Sequence, residues 1–147
     1  MKKIILIGLT LFTITAAIGQ EPTMEQTLSY LNANITDLPC MSDWKYKNIA
    51  YNESKNAIEI FFDVENGVLK YSVNMNKEYT ITDHKEKNYV KVKFKTESIT
   101  CVGSDDETFY RNYFLFSSAI PKTVRAVKHL LKLGYANRDT TFDDIKF

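Results

Sequence analysis

The stretch Ile58-Glu59-Ile60-Phe61-Phe62-Asp63-Val64-Glu65-Asn66-Gly67-Val68-Leu69-Lys70-Tyr71-Ser72-Val73-Asn74-Met75 decides the fold. Apolar and polar side chains alternate on both sides of Asn66-Gly67, the dipeptide a two-residue type I′ turn prefers because both positions need positive φ. With Asn66-Gly67 as the turn, Glu65 faces Val68, Val64 faces Leu69, Phe62 faces Tyr71, Ile60 faces Val73 and Ile58 faces Met75. One face of this hairpin is then apolar, while the other carries Glu59, Asp63, Lys70, Ser72 and Asn74, with Phe61 as the large exception. Turn chemistry and period-two patterning select this register independently.

Working outward, residues 89–103 form a second candidate hairpin. Val90, Val92 and Phe94 alternate with Lys91, Lys93 and Lys95, and a turn at Thr96-Glu97 would set Phe94 against Ile99 and Val92 against Cys101. Thr96-Glu97 is poor type I′ chemistry, which leaves that register open to slippage. Shorter strands are predicted over 44–51, 78–83 and 108–117. The last holds Phe109, Tyr110, Tyr113, Phe114 and Phe116, a density that suggests burial on both faces. About seven strands with short connections predict an antiparallel β-sandwich or small barrel.

A helix precedes the strands and another follows them. Thr23 and Gln26 form a capping box, and Met24, Leu28, Leu31 and Ile35 recur at helical spacing, ending before Pro39. This helix is too short to stand alone in water, so it must dock on the core. Pro121 sits in the first turn of the C-terminal helix, where its missing N–H costs nothing. Val124, Val127, Leu130, Leu131 and Tyr135 make its apolar face, Lys122, Arg125, Lys128 and Lys132 its wet face, and Gly134 its expected stop. The fold class is therefore α+β: one domain of antiparallel strands with an N-terminal and a C-terminal helix.

The chain opens on an export signal. Lys2 and Lys3 precede an apolar run over 4–15, and Ala17 and Gly19 are small residues at the −3 and −1 positions of a cut before Gln20. The apolar run is shorter than the roughly 20 residues a membrane anchor needs, and no later stretch could span a bilayer. Residues 1–19 read as a cleaved signal peptide and 20–147 as a single domain, periplasmic or secreted. Composition agrees with a globular domain, at 44% hydrophobic and 25% charged over 147 residues. Losing Lys2 and Lys3 from 19 basic residues, against 18 acidic ones, leaves the mature chain slightly acidic. That gives no case for nucleic acid as a partner.

The Gly-Gln end of the signal, the opening Thr23-Met24-Glu25-Gln26-Thr27-Leu28-Ser29-Tyr30-Leu31-Asn32 and the closing Arg125-Ala126-Val127-Lys128-His129-Leu130-Leu131-Lys132-Leu133 resemble small exported, uncharacterised proteins of Bacteroidetes. In outline, strands closed by one C-terminal helix are also similar to the pleckstrin homology-like superfold. That superfold serves lipid, peptide and protein binding, and the resemblance implies no catalytic residue.

Cys40 and Cys101 are the first candidates for chemistry, since an exported chain meets oxidising conditions. One reading is a disulfide closing a loop of about 60 residues, worth on the order of 4 kcal/mol in the chain-entropy model. The other is two unpaired cysteines, with Cys101 a small buried apolar residue. Neither lies in a Cys-x-x-Cys or near a histidine, which argues against a nucleophile. His84 sits in a charged run that reads as a solvated turn, and His129 at the edge of an apolar helical stripe. The close ligand spacing of a zinc site, the Gly-x-Ser-x-Gly elbow and the glycine-rich phosphate loop are all missing from the sequence, so no metal and no cofactor is expected. Paired carboxylates stand at Asp105-Asp106-Glu107 and Asp143-Asp144; the first reads as a solvated loop before the aromatic strand and lacks the spacing of a calcium loop.

Lys85, Lys87, Lys91, Lys93 and Lys95 share one parity. If strand structure runs through them, they form a positive ridge around Tyr89 that would take an anionic glycan, a lipid headgroup or an acidic protein. The plainer reading is a solvated strand face, or an edge strand guarded by lysine. The function this supports is a non-enzymatic ligand- or partner-binding domain of the cell envelope. The alternatives are a small envelope hydrolase with a site between sheet and helices, and a structural or assembly protein.

Overall fold

The computed structural model describes residues 19–34, 44–103 and 105–139. Ile35, Cys40, Asp143, Asp144 and the expected signal up to Ile18 lie outside the described residues. The element order is α1 (Met24–Asn34), β1 (Lys45–Asn52), β2 (Ala57–Val64), β3 (Gly67–Asn74), β4 (Tyr79–His84), β5 (Tyr89–Phe94), β6 (Ile99–Val102), β7 (Thr108–Arg111), β8 (Tyr113–Ser117) and α2 (Pro121–Ala136). All strand pairs are antiparallel, and the fold is α+β.

The strands lie in two sheets, ordered β1-β2-β3-β6-β7 and β4-β5-β8. These orders look like crossovers, yet the chain runs as a plain meander. Pairing continues across the gaps: Asn74 N donates to Ser98 O at 2.8 Å, Lys95 N to Glu78 O at 3.1 Å, and Phe94 N to Asn112 O at 2.7 Å. So β3–β4, β5–β6 and β7–β8 are three long runs, each bent where it passes from one sheet to the other. The bend is made by extra residues. Phe94 bonds Asn112 and Ser98 bonds Arg111, which leaves Lys95, Thr96 and Glu97 surplus to the pairing with the last run. Surplus residues kink a strand and increase its twist, which curves the meander around the helices.

The central hairpin forms with its faces as expected but its register two residues away. Val64 faces Gly67, Phe62 faces Leu69, Ile60 faces Tyr71 and Ile58 faces Val73, so Glu65-Asn66 is the turn. A type I′ turn at Asn66-Gly67 needs positive φ at both positions, and Gly67 alone has it, at 137°. A two-residue slip preserves parity, so the same side chains still enter the core. The second hairpin, from β5 directly to β6, does not form. Phe94 faces Tyr79 rather than Ile99, and Val92 faces Ile81 and Phe114 rather than Cys101. Thr96-Glu97 supplies the corner between sheets instead of a tight turn.

The capping box is present, with Thr23 N donating to Gln26 Oε1 at 2.9 Å and Gln26 N to Thr23 Oγ1 at 3.2 Å. Pro121 begins α2 as expected, but Gly134 does not end it. A Cβ at Gly134 would stand 2.9 Å from Met75 Cγ, so glycine lets the helix lie against β3's end and the helix continues to Ala136. Val127, Leu130 and Leu131 fill the concave face against Ile58, Ile60, Val73, Phe114 and Phe116. Of the aromatics along 108–117, only Phe114 and Phe116 are buried. Phe109, Tyr110 and Tyr113 are exposed: Phe109 and Tyr110 are consecutive and point to opposite faces, so both faces of the edge strand β7 meet solvent there. No helix of the described residues is long and apolar enough to cross a membrane.

Two of the four sheet edges are covered by named groups. The Asn32 side chain donates to Ile49 O and accepts from Ile49 N, both at 2.8 Å, closing the β1 edge as a neighbouring strand would. Tyr46 Oη donates to Leu115 O at 3.2 Å on the β8 edge.

Candidate functional site

The lysine ridge is shorter than the sequence pattern suggests. Only Tyr89, Lys91 and Lys93 project from β5 on the outer face of the three-stranded sheet. Lys85 and Lys87 belong to a single 3₁₀ turn that Asn88 ends in the left-handed conformation at φ 54°, so strand parity does not extend to them. Lys95 lies beyond β5 and pairs with Glu78 at 3.3 Å. The edge-strand reading also falls, because β5 is the middle strand between β4 and β8.

That central position gives the surviving residues a built surround. Thr80, Thr82 and His84 stand beside them on β4, and Tyr113, Leu115 and Ser117 on β8. Lys91 Nζ lies 4.5 Å from the Tyr113 ring centroid, an arrangement worth roughly 0.5–1 kcal/mol where exposed. His84 is not a solvated turn residue: it ends β4, half-buried, its ring centroid 4.7 Å from that of Tyr89. The face therefore presents two ammonium groups, the hydroxyls of Thr80 and Thr82, and aromatic rings whose faces and edges suit stacking.

An open groove of about 670 Å³ adjoins this face and shares Thr80 and Lys93 with it. Glu78, Tyr79, Phe94, Lys95 and Tyr135 complete its lining. Tyr79 and Tyr135 meet edge to face at 5.6 Å, and burial holds the Tyr79 hydroxyl above its ordinary range. Sequence reasoning missed Tyr79 and Tyr135 because they come from β4 and α2, which only the fold brings together.

A second groove of about 790 Å³ lies between α1 and α2, lined among others by Gln26, Tyr30, Lys122, Arg125 and His129. Lys122 Nζ sits 4.8 Å above the Tyr30 ring, and His129 Nε2 donates to the Pro22 carbonyl at 2.6 Å. His129 is half-buried, as its place on the stripe predicts. Here the helix's wet face lines a groove instead of open surface.

Cys101 is fully buried and free among the described residues, and the bridge with Cys40, one of the two readings of the sequence, falls outside them. Burial pushes the Cys101 thiol up to about 11, against smaller opposing effects of the Arg111 guanidinium and a hydrogen bond with Tyr71. A thiol raised this far stays protonated at neutral pH and is a poor nucleophile. Its folded pKa exceeds the unfolded one, so the stability it contributes is intact below about pH 9 and is lost as pH rises through about 11. Urea midpoints measured across that window should fall more steeply for the native chain than for Cys101→Ala; parallel curves would show that Cys101 does not couple to folding.

Among the described residues, no group of three His, Cys, Asp or Glu side chains is placed to hold a metal ion. One cavity between the sheets and α2 holds about 20 Å³ of free space, lined by aliphatic and aromatic side chains such as Ile58, Val73, Phe114 and Leu131. No protein-family model matches the chain, and comparisons with curated proteins and with solved structures find nothing similar to it.

Proposed function

We propose that this chain is an exported, non-enzymatic binding domain of the cell envelope, periplasmic or secreted, whose contact surface is the outer face of β4–β5–β8. The observation that carries the proposal is Lys91 and Lys93 held in register on a central strand, with Tyr89, Tyr113 and the Tyr79–Tyr135 groove around them. Ammonium groups take the charge of an anionic ligand, and ring faces take its flat or apolar part. The ligand class is an anionic small molecule or an acidic segment of an envelope protein. Likeness to exported Bacteroidetes proteins and to the pleckstrin homology-like outline belongs to the same proposal. The hydrolase alternative finds less support, since the apolar cavity beneath α2 has room for about one water molecule and Cys101 is a buried, protonated thiol.

Native mass spectra of protein purified gently from an exporting host test this directly. A stoichiometric added mass, or a co-purifying partner, is expected with the unaltered chain and should be lost in Lys91→Glu/Lys93→Glu. Binding should weaken about tenfold or more, while stability changes by about 1 kcal/mol at most, because neither lysine is buried. Binding that survives the double reversal removes this face as the contact.

A further inference from the structure

Strand β7 is an edge of the five-stranded sheet and carries exposed aromatics, with Tyr110 at 61% and Phe109 at 37% of full exposure. Its backbone directions follow from two bonds. Glu107 O accepts from Gly103 N, and Arg111 O accepts from Ser98 N, so residues 107, 109 and 111 turn their peptide groups toward β6. Alternation then turns the N–H and C=O of Thr108 and Tyr110 outward, away from the sheet. An edge with outward donors and acceptors beside exposed aromatics is a template for another strand.

We propose that the strand it accepts is β7 of a second copy of this chain, antiparallel about a twofold axis through Phe109. The register follows from the backbone. Centred on Phe109, Thr108 of each copy faces Tyr110 of the other, and both outward-facing residues exchange N–H···O bonds. Centred on Tyr110, Thr108 would need Asn112, whose carbonyl is committed to Phe94 N. Centred on Thr108, Tyr110 would need Asp106, which sits in the left-handed region of the preceding turn at φ 62°.

Side chains favour the same register. Phe109 faces its own copy, and on either side Glu107 faces Arg111 of the other chain. These are the non-hydrogen-bonded positions of the pair, where opposed Cα atoms approach to about 4.5 Å and side chains meet most closely. One acidic and one basic residue flanking an apolar centre make the patch self-complementary, as a twofold interface requires. Neither Glu107 nor Arg111 forms an ion pair among the described residues, and Arg111 already lies 5.3 Å from the Phe109 ring. The association joins two five-stranded sheets edge to edge and leaves the β4–β5–β8 face open, so it stands independently of the binding proposal.

Sedimentation equilibrium of the protein purified from an exporting host, over a concentration series, should show a reversible dimer. Glu107→Arg alone and Arg111→Glu alone should each weaken it about tenfold, and the double exchange should restore it. Tyr110→Pro should abolish it with the fold retained, since the N–H it removes faces away from β6. A monomer at every concentration overturns the proposal, as does a dimer indifferent to the charge exchanges. If circular dichroism shows Tyr110→Pro unfolded, the charge pair still decides.

Discussion

Phe94→Ala is expected to lower the free energy of unfolding by about 3–5 kcal/mol, the range for removing a buried aromatic ring. Phe94 is 1% exposed and ends β5 where the meander turns its corner. Its ring lies 5.9 Å from that of Tyr79, and its N–H donates to Asn112 O, the point at which β7 passes into β8. Truncation would leave a cavity between strands that the Lys95–Glu97 excursion has already spread apart, and backbone bonds on both sides limit collapse. The urea midpoint should therefore fall steeply. Phe94→Leu, which keeps most of the volume, should cost less than half as much; equal losses would mean that the ring's size is not what holds the corner.

Asn56→Ala should cost about 3 kcal/mol, by a different route. Asn56 is buried at φ 44° and ψ 55°, closing the 3₁₀ turn between β1 and β2. Asparagine enters that conformation more readily than alanine, which loses about 1–2 kcal/mol there. The side chain also accepts from Tyr51 Oη at 2.7 Å and donates to Asn76 Oδ1 at 2.8 Å, while Asn56 O accepts from Met75 N. Each side-chain bond lost adds about 1 kcal/mol. Asn56→Gly separates the two causes: it frees the backbone but not the hydrogen bonds, so chemical denaturation should show it recovering roughly the conformational share. No difference between the two variants would place the whole effect in the side-chain network, which reaches Asn137 through Tyr51.

Both positions were silent in the sequence. Phe94 reads as one more inward residue of an alternating strand, and nothing local distinguishes it as the corner. Asn56 reads as a loop residue. The central hairpin was legible in its faces and not in its register, since a slip of two residues leaves parity untouched and only backbone dihedrals separate the choices. The lysine ridge was legible at Lys91 and Lys93, inside one strand. It failed at Lys85 and Lys87, where a left-handed Asn88 breaks the parity, and at Lys95, which Glu78 engages from the preceding run.

Patterns with a reach of a few residues carried the capping box at Thr23, the proline start of α2, the inward set of β2 and β3 and the α+β class. Each depends on neighbours along the chain, whose energetics are the same wherever the segment ends up. Tertiary packing alone decided that β5 pairs with β4 and β8 while β6 pairs with β3 and β7. It also decided that Tyr79 meets Tyr135, that Gly134 lies against Met75, and that β7 stands at an edge of the five-stranded sheet. Those outcomes weigh contacts between residues far apart in the chain, and no local period records which distant partner will win.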